Sequence, residues 1–338
     1  MWGKIAQIDE LKGKWNAGIT ISPELLIRLK KSVLVTSSGA STRIEGAGLA
    51  DEEVEKLMTG IQIQKFADRD SQEVRGYFEL LQNVFNSWTS IQFNENAIKH
   101  FHKEMLEYVE KDQLHRGEYK KSENRVEMID EQGKKVGILF DTAPAYLTPK
   151  LMLELVEWTQ KALEQKKYHP LVIIGNFLVE FLNIHPFTDG NGRLSRILTN
   201  LLMLQSGYLY MPYVSHEKLI EDKKPQYYLA LRRSQKTFKT NIENLVPWLT
   251  FFLDIILEQS DIAIKIISSE QIEDILSPRQ LLVWEFLNKV FIATPGEITK
   301  ITQIPRPTVN QVLTKLLKLK KIERLGLGRS TRYRKKGP

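Results

Sequence analysis

The sequence predicts a mainly α-helical protein with one small β-hairpin and a separate basic C-terminal domain of three helices and a second hairpin. Three observations carry this. Apolar residues recur at helical spacing over most of residues 23–258, as in EVRGYFELLQNVFNSW. Strand-like alternation is confined to two short stretches, 126–140 around a Glu-Gln-Gly turn and 321–335 around Gly326 and Gly328. Charge is divided unevenly: residues 278–338 hold 14 Lys or Arg against three Glu, a net of +11, so the overall +7 leaves −4 for residues 1–277.

A chain of 338 residues with 42% hydrophobic content is long enough for two or three domains with real cores. We place them at 1–110, a helical region; 111–260, the central core; and 277–338, the basic domain. The absence of cysteine excludes disulfides and thiolate metal sites. The opening MWGKIAQIDELKGKW has no apolar leader segment, and LVIIGNFLVEFLNI at 171–184 is too short to span a bilayer. A cytoplasmic protein with no membrane partner is expected.

Residues 23–38 read as an amphipathic helix opened by Ser22 and Pro23, a good N-cap and N1 pair, running on toward Ser41 and a C-capping Gly46. Residues 51–110 look helical throughout and serve as scaffold. Within them His100 and His102 do not share a helix face, which argues against a metal pair and for a solvated helix. Further helices are expected over 149–167, 171–184, 197–204 and 225–258, and in the basic domain over 279–289, 295–302 and 307–320.

Ionisable groups, glycines and a helix start crowd together only in His185-Pro-Phe-Thr-Asp189-Gly190-Asn191-Gly192-Arg193-Leu-Ser-Arg196. The glycines let backbone N–H groups approach a ligand closely, and the following helix start favours an anion such as phosphate. Arg193 and Arg196, three apart, can grip phosphate oxygens bidentately. Asp189 offers a hard oxygen ligand of the kind Mg²⁺ takes. His185 is the one group of the stretch able to accept a proton near neutral pH.

This stretch resembles the Fic-domain signature, His-x-Phe-x-Asp/Glu-Gly-Asn-Gly-Arg-x-x-Arg, at every defined position. The resemblance implies a helical core with a hairpin flap and a protein adenylyltransferase that moves AMP from ATP to a target hydroxyl (Ser, Thr or Tyr), and to its own. By resemblance His185 is the base, Asp189 holds Mg²⁺, and Gly190, Asn191 and Gly192 line the anion hole. Arg193 and Arg196 orient the β- and γ-phosphates, and Phe187 anchors the loop. The phosphorylating Doc-type relatives carry Lys where Gly192 stands. Ser41, Glu45 and Gly46 are similar to the family's inhibitory motif, whose Glu pairs with the second signature arginine, here Arg196. The 126–140 hairpin would be the flap on which a target segment docks as an added strand. Lys120 stands where the family usually has Arg. Tyr227 and Tyr228 could wall an adenine pocket; we select Tyr228 and assign at least one of them to core packing.

The C-terminal pattern resembles a winged helix-turn-helix, with Thr308, Asn310 and Gln311 at the start of a recognition helix. DNA is thus a candidate partner through 278–338, and dimerisation or target docking the other use of such a domain. Two alternatives to AMP transfer stay open: a DNA-binding regulator with a nucleotide-sensing core, and removal of AMP by the same site.

Overall fold

The structure, a computed structural model, describes residues 1–17, 23–58, 68–129, 135–273, 276–318, 321–326 and 331–336, with backbone alone over 125–129, 135–141 and 268–273. Ser22 and the turn at 130–134 lie outside the described residues. The chain divides into two compact units, residues 1–264 and 265–338. As expected, it is mainly helical.

The first unit opens with α1 (Trp2–Ala17) and α2 (Pro23–Ile44). α2 begins on Pro23, whose fixed φ suits a first helical turn, and continues through Ser41 without a break. The stretch from 51 onward, expected to be one helical region, is divided into α3 (Asp51–Met58), α4 (Arg69–Ser87) and α5 (Glu95–Met105). Side-chain caps set two of these starts: Asp68 accepts from the Ser71 N–H and Asn94 from the Ala97 N–H, each at 2.8 Å.

β1 (Arg125–Ile129) and β2 (Lys135–Asp141) then pair antiparallel, with Arg125 opposite Asp141 at the base of the hairpin. After α6 (Thr148–Gln165) come the two central helices, α7 (Pro170–Ile184) and α8 (Asn191–Gln205). α7 is apolar nearly all round and buried accordingly; α8 is buried continuously from Arg193 to Leu204. α9 (His216–Asp222), α10 (Lys224–Gln235) and α11 (Val246–Glu273) as far as Ile264 complete the unit. The indole N–H of Trp248 on α11 donates to the Gly175 carbonyl of α7 at 2.7 Å. No helix among the described residues is long and apolar enough to cross a membrane.

The second unit takes the end of α11 and adds α12 (Pro278–Lys289), α13 (Pro295–Thr302), α14 (Arg306–Lys318) and an antiparallel hairpin, β3 (Ile322–Leu325) with β4 (Arg332–Lys335). Val283, Trp284, Leu287, Ile298, Val309, Val312, Leu313 and Leu316 form its core. A reciprocal backbone pair between Ala293 and Tyr333, at 2.9 and 2.8 Å, adds a short third edge to the hairpin.

Candidate active site

The site lies where α7 gives way to α8. His185 caps α7 in the left-handed region, φ 51° and ψ 61°, and its N–H donates to the Phe181 carbonyl at 2.9 Å. That backbone conformation is strained for a residue with a Cβ and persists only where the surroundings enforce it. The ring Nδ1 lies 3.3 Å from the Leu182 carbonyl oxygen. A carbonyl only accepts, so this bond places the proton on Nδ1 and leaves Nε2 as the lone-pair nitrogen. Burial lowers the imidazole to about 4, aided by Lys120 and opposed by the Leu182 bond and the carboxylates of Glu45 and Asp189. At neutral pH the ring is uncharged and able to take a proton.

The loop that follows is folded by its own asparagine. Asn191 Oδ1 accepts from the Phe187 N–H at 3.0 Å and its Nδ2 donates to the Phe187 carbonyl at 2.8 Å, so the buried amide closes the turn. Gly190 caps α8 at φ 79°; a Cβ there would come within 2.7 Å of the Met105 methyl.

Two arginines project from α8 into different partnerships. Arg193, 2% exposed, ion-pairs with Glu73 Oε2 and Asp189 Oδ2, both at 2.8 Å. Arg69 reaches the same Asp189 oxygen at 2.8 Å and also binds Glu73, so two guanidiniums and two carboxylates alternate. Burial pushes the Asp189 carboxyl up, but Arg193, the Gly190 N–H and Arg69 together bring it below its ordinary value. Arg196, also 2% exposed, donates to the Ser41 hydroxyl, the Ser41 carbonyl and Glu45 Oε1, each at 2.8 Å. Burial works against its charge, but Glu45 holds it protonated above the usual arginine range. Its buried Nη1 has no hydrogen-bond acceptor among the described residues.

Glu45 follows the last residue of α2, with Gly46 at φ 109° beyond it. Its carboxylate rests over Gly192: a Cβ added there would come within 2.2 Å of Glu45 Oε1. Ser41, Glu45, Gly192 and Arg196, distant in sequence, are therefore assembled in one place. The end of α2 is fastened independently of Glu45. Arg43 pairs with Glu221, while Lys224 Nζ and the Tyr228 hydroxyl donate to the Arg43 and Ile44 carbonyls, each at 3.2 Å. Deeper in, the buried carboxylate of Glu217 accepts from Ser37 of α2, Tyr77 of α4 and Asn200 of α8, binding those helices to α9. Tyr227 is core, packed edge-on to Trp248; Tyr228 is half-buried.

His102 departs from the solvated reading. It is 1% exposed, its Nδ1 accepts from the Gly117 N–H at 2.9 Å, and its Nε2 donates to the Asp189 carbonyl at 3.0 Å. Its ring stacks on Phe187, centroids 3.8 Å apart, and burial lowers it to about 4. The spacing of Ile98, Phe101, His102 and Met105 is the signal that marked this buried face. Glu73 and Arg69 were not singled out as parts of the site, because no local pattern sets them apart; Lys120 was marked only as standing where the family usually has Arg. Among the described residues no group of three or more His, Asp or Glu is arranged to hold a metal.

Residues 92–203 match the family model described as Fic/DOC, and this part of the chain is a Fic domain. The chain is 28% identical over 192 residues to a protein of Aquifex aeolicus named probable protein adenylyltransferase, the match covering 56% of each. It is 31% identical over 98 residues to a Fido domain-containing protein of Dictyostelium discoideum, covering 28% of this chain and 64% of that one. The chain thus spans about half to two thirds of the length of these relatives. A solved Fic family protein from Desulfovibrio desulfuricans superposes with a TM-score of 0.62 at 23% identity, over 99% of this chain and 95% of that one; this likeness is one of fold.

Proposed function

We propose that the protein transfers AMP from ATP to a hydroxyl side chain of a target protein, and that Glu45 restrains it. The observation that carries this reading is the occupied Arg196: a buried guanidinium beside a helix N-terminus already holds an anion, the Glu45 carboxylate, where a γ-phosphate would be held. The designation of the Aquifex relative as an adenylyltransferase points the same way.

In this reaction the target hydroxyl oxygen attacks the α-phosphorus, its proton passes to Nε2 of neutral His185, and the α-phosphorus–oxygen bond to the β-phosphate breaks as pyrophosphate leaves. The backbone around Gly190, Asn191 and Gly192 cradles phosphate oxygens, Arg193 and Arg196 orient the β- and γ-phosphates, and the half-buried Tyr228 ring offers a face to adenine. Asp189, ionised and partly exposed, suits Mg²⁺ that arrives with the nucleotide; among the described residues it belongs to no group of three or more acidic or histidine side chains able to hold the ion alone. Bound there, the ion would neutralise phosphate charge. The target presents its hydroxyl from a segment laid along the β1–β2 hairpin.

The test is mass spectrometry of AMP adducts on the protein and on added lysate, for wild type, Glu45→Gly and Glu45→Gly/His185→Ala with ATP and Mg²⁺. Adducts weak in wild type, strong in the single variant and lost in the double one are expected. Equal adducts in wild type and Glu45→Gly would remove the inhibitory assignment.

A second reading concerns the second unit. α14 exposes Arg306, Asn310, Gln311, Thr314 and Lys318 while burying Val309, Val312, Leu313 and Leu316. A polar, basic helix face of this kind suits a DNA groove. Duplex affinity falling steeply with salt is the expected signature, and no binding at low salt would exclude it.

A further inference from the structure

The loop that carries His185 is held from outside by one short segment, residues 120–124, in an unusually complete way. Four successive carbonyls are bound. Ile184 O accepts from Lys120 Nζ at 3.0 Å and Pro186 O from the Lys120 N–H at 2.8 Å. His185 O accepts from Asn124 Nδ2 at 3.4 Å and Phe187 O from the same nitrogen at 3.0 Å. Lys120 is 4% exposed, and its ammonium has three neutral acceptors: Ile184 O, Asn124 Oδ1 and Thr142 Oγ1, the latter two at 2.8 Å. Thr142 in turn donates to Asn124. A buried ammonium with no carboxylate in contact is an expensive way to fill space. Three fixed donors aimed at three oxygens are what it provides here.

We propose that Lys120, with Asn124 and Thr142, is a positioning device that enforces the left-handed His185 backbone and so aims its imidazole at the target hydroxyl; this rests on His185 being the base of the proposed transfer. The device also has a second end. Asn124 directly precedes β1 and Thr142 directly follows β2, so the two feet of the hairpin are fastened to each other and to the base loop. A target strand that straightens or twists the hairpin therefore pulls on the carbonyls either side of His185. The Lys120 ammonium is spent on Asn124, Thr142 and Ile184 and makes no hydrogen bond to Arg193 or Arg196 among the described residues. The charges acting on His185 are Lys120, Glu45 and Asp189, and on Lys120 that of Glu123. Burial lowers the Lys120 ammonium to about 8, as a site enclosed by neutral acceptors requires.

The experiment compares Lys120→Met and Asn124→Ala with their parent, all in the Glu45→Gly background. It measures AMP transfer, the Kd of a non-hydrolysable ATP analogue by calorimetry, and the histidine titration by NMR, with His185→Ala assigning the resonance. Transfer is expected to fall by at least about tenfold in Lys120→Met, with analogue Kd within about twofold of the parent. The His185 titration should move upward, because a neighbouring positive charge and part of the enclosure are lost. Asn124→Ala, at a half-buried position, should show the same split at smaller amplitude and serves if Lys120→Met does not fold. Transfer within twofold of the parent together with an unmoved His185 titration would overturn the proposal. If the parent transfers no AMP, the reaction assignment fails, and the titration alone still decides whether Lys120 sets the His185 loop.

Discussion

The two sides of the site are built on opposite principles. On the base side, the loop from Ile184 to Phe187 has every carbonyl bound by residues 120–124, its turn closed by Asn191, and its ring Phe187 stacked on a buried histidine. On the side of Glu45, the proposed restraint, the carboxylate reaches Arg196 by one oxygen, the side chain is 35% exposed, and the fastenings nearby belong to the residues before it, Arg43 and Ile44. Enforced geometry serves a group that must be aimed within fractions of an ångström. A single, half-solvated ion pair serves a group that must let go.

The comparison is broken most severely by His185→Ala in the Glu45→Gly background. Loss of the base is expected to lower transfer by about 10²–10⁴-fold, read as the initial rate of AMP incorporation. Next is His102→Ala, which orphans the Gly117 N–H and the Asp189 carbonyl and removes the stack on Phe187. A stability loss of about 2–4 kcal/mol in urea is expected. His102 also gives wild type a pH signature. Its folded value is lowered from 6.5 to about 4, so the unfolded chain takes up the proton first. Stability is then complete above about pH 6.5 and falls as pH drops toward 4, by up to about 3 kcal/mol from this residue. The variant should show a shallower acid limb.

Glu45→Gly sharpens the contrast from the other side. Transfer should rise by about 5–150-fold, the range of an ordinary coupling energy, with stability lowered by no more than about 1 kcal/mol because the carboxylate is a third exposed. Smallest is Tyr228→Phe, which frees the Ile44 carbonyl. Stability should drop by about 1 kcal/mol and transfer rise by no more than about threefold, with analogue binding retained. A large loss of nucleotide affinity instead would show that the hydroxyl itself contacts the nucleotide.

Legibility followed continuity along the chain. The 185–196 stretch was readable because its base, glycines and arginines are contiguous and their chemistry follows from spacing. α7 was readable because burial on nearly all sides leaves an almost continuous apolar run, whereas in α8 apolar residues dominate only from Ile197 to Leu204. Residues that act through distant contacts were not readable. Lys120 was noticed only as a Lys in place of the family's usual Arg, and its burial against the His185 loop shows only in the fold; Glu73 joins Arg69 to Arg193, which is distant in sequence. His102 failed for a different reason. The argument against a His100–His102 metal pair was sound, but it left open which of the two faced inward, and the apolar neighbours at 98, 101 and 105 answer that.

Glu45 is tied to its own competitor's seat by the chain itself. In the proposed reaction its contest with a γ-phosphate for Arg196 is intramolecular, so the carboxylate acts at a fixed effective concentration, of order millimolar for a short tether. The space the carboxylate uses exists because residue 192 has no Cβ, so the seat of the proposed restraint depends on one missing methyl group.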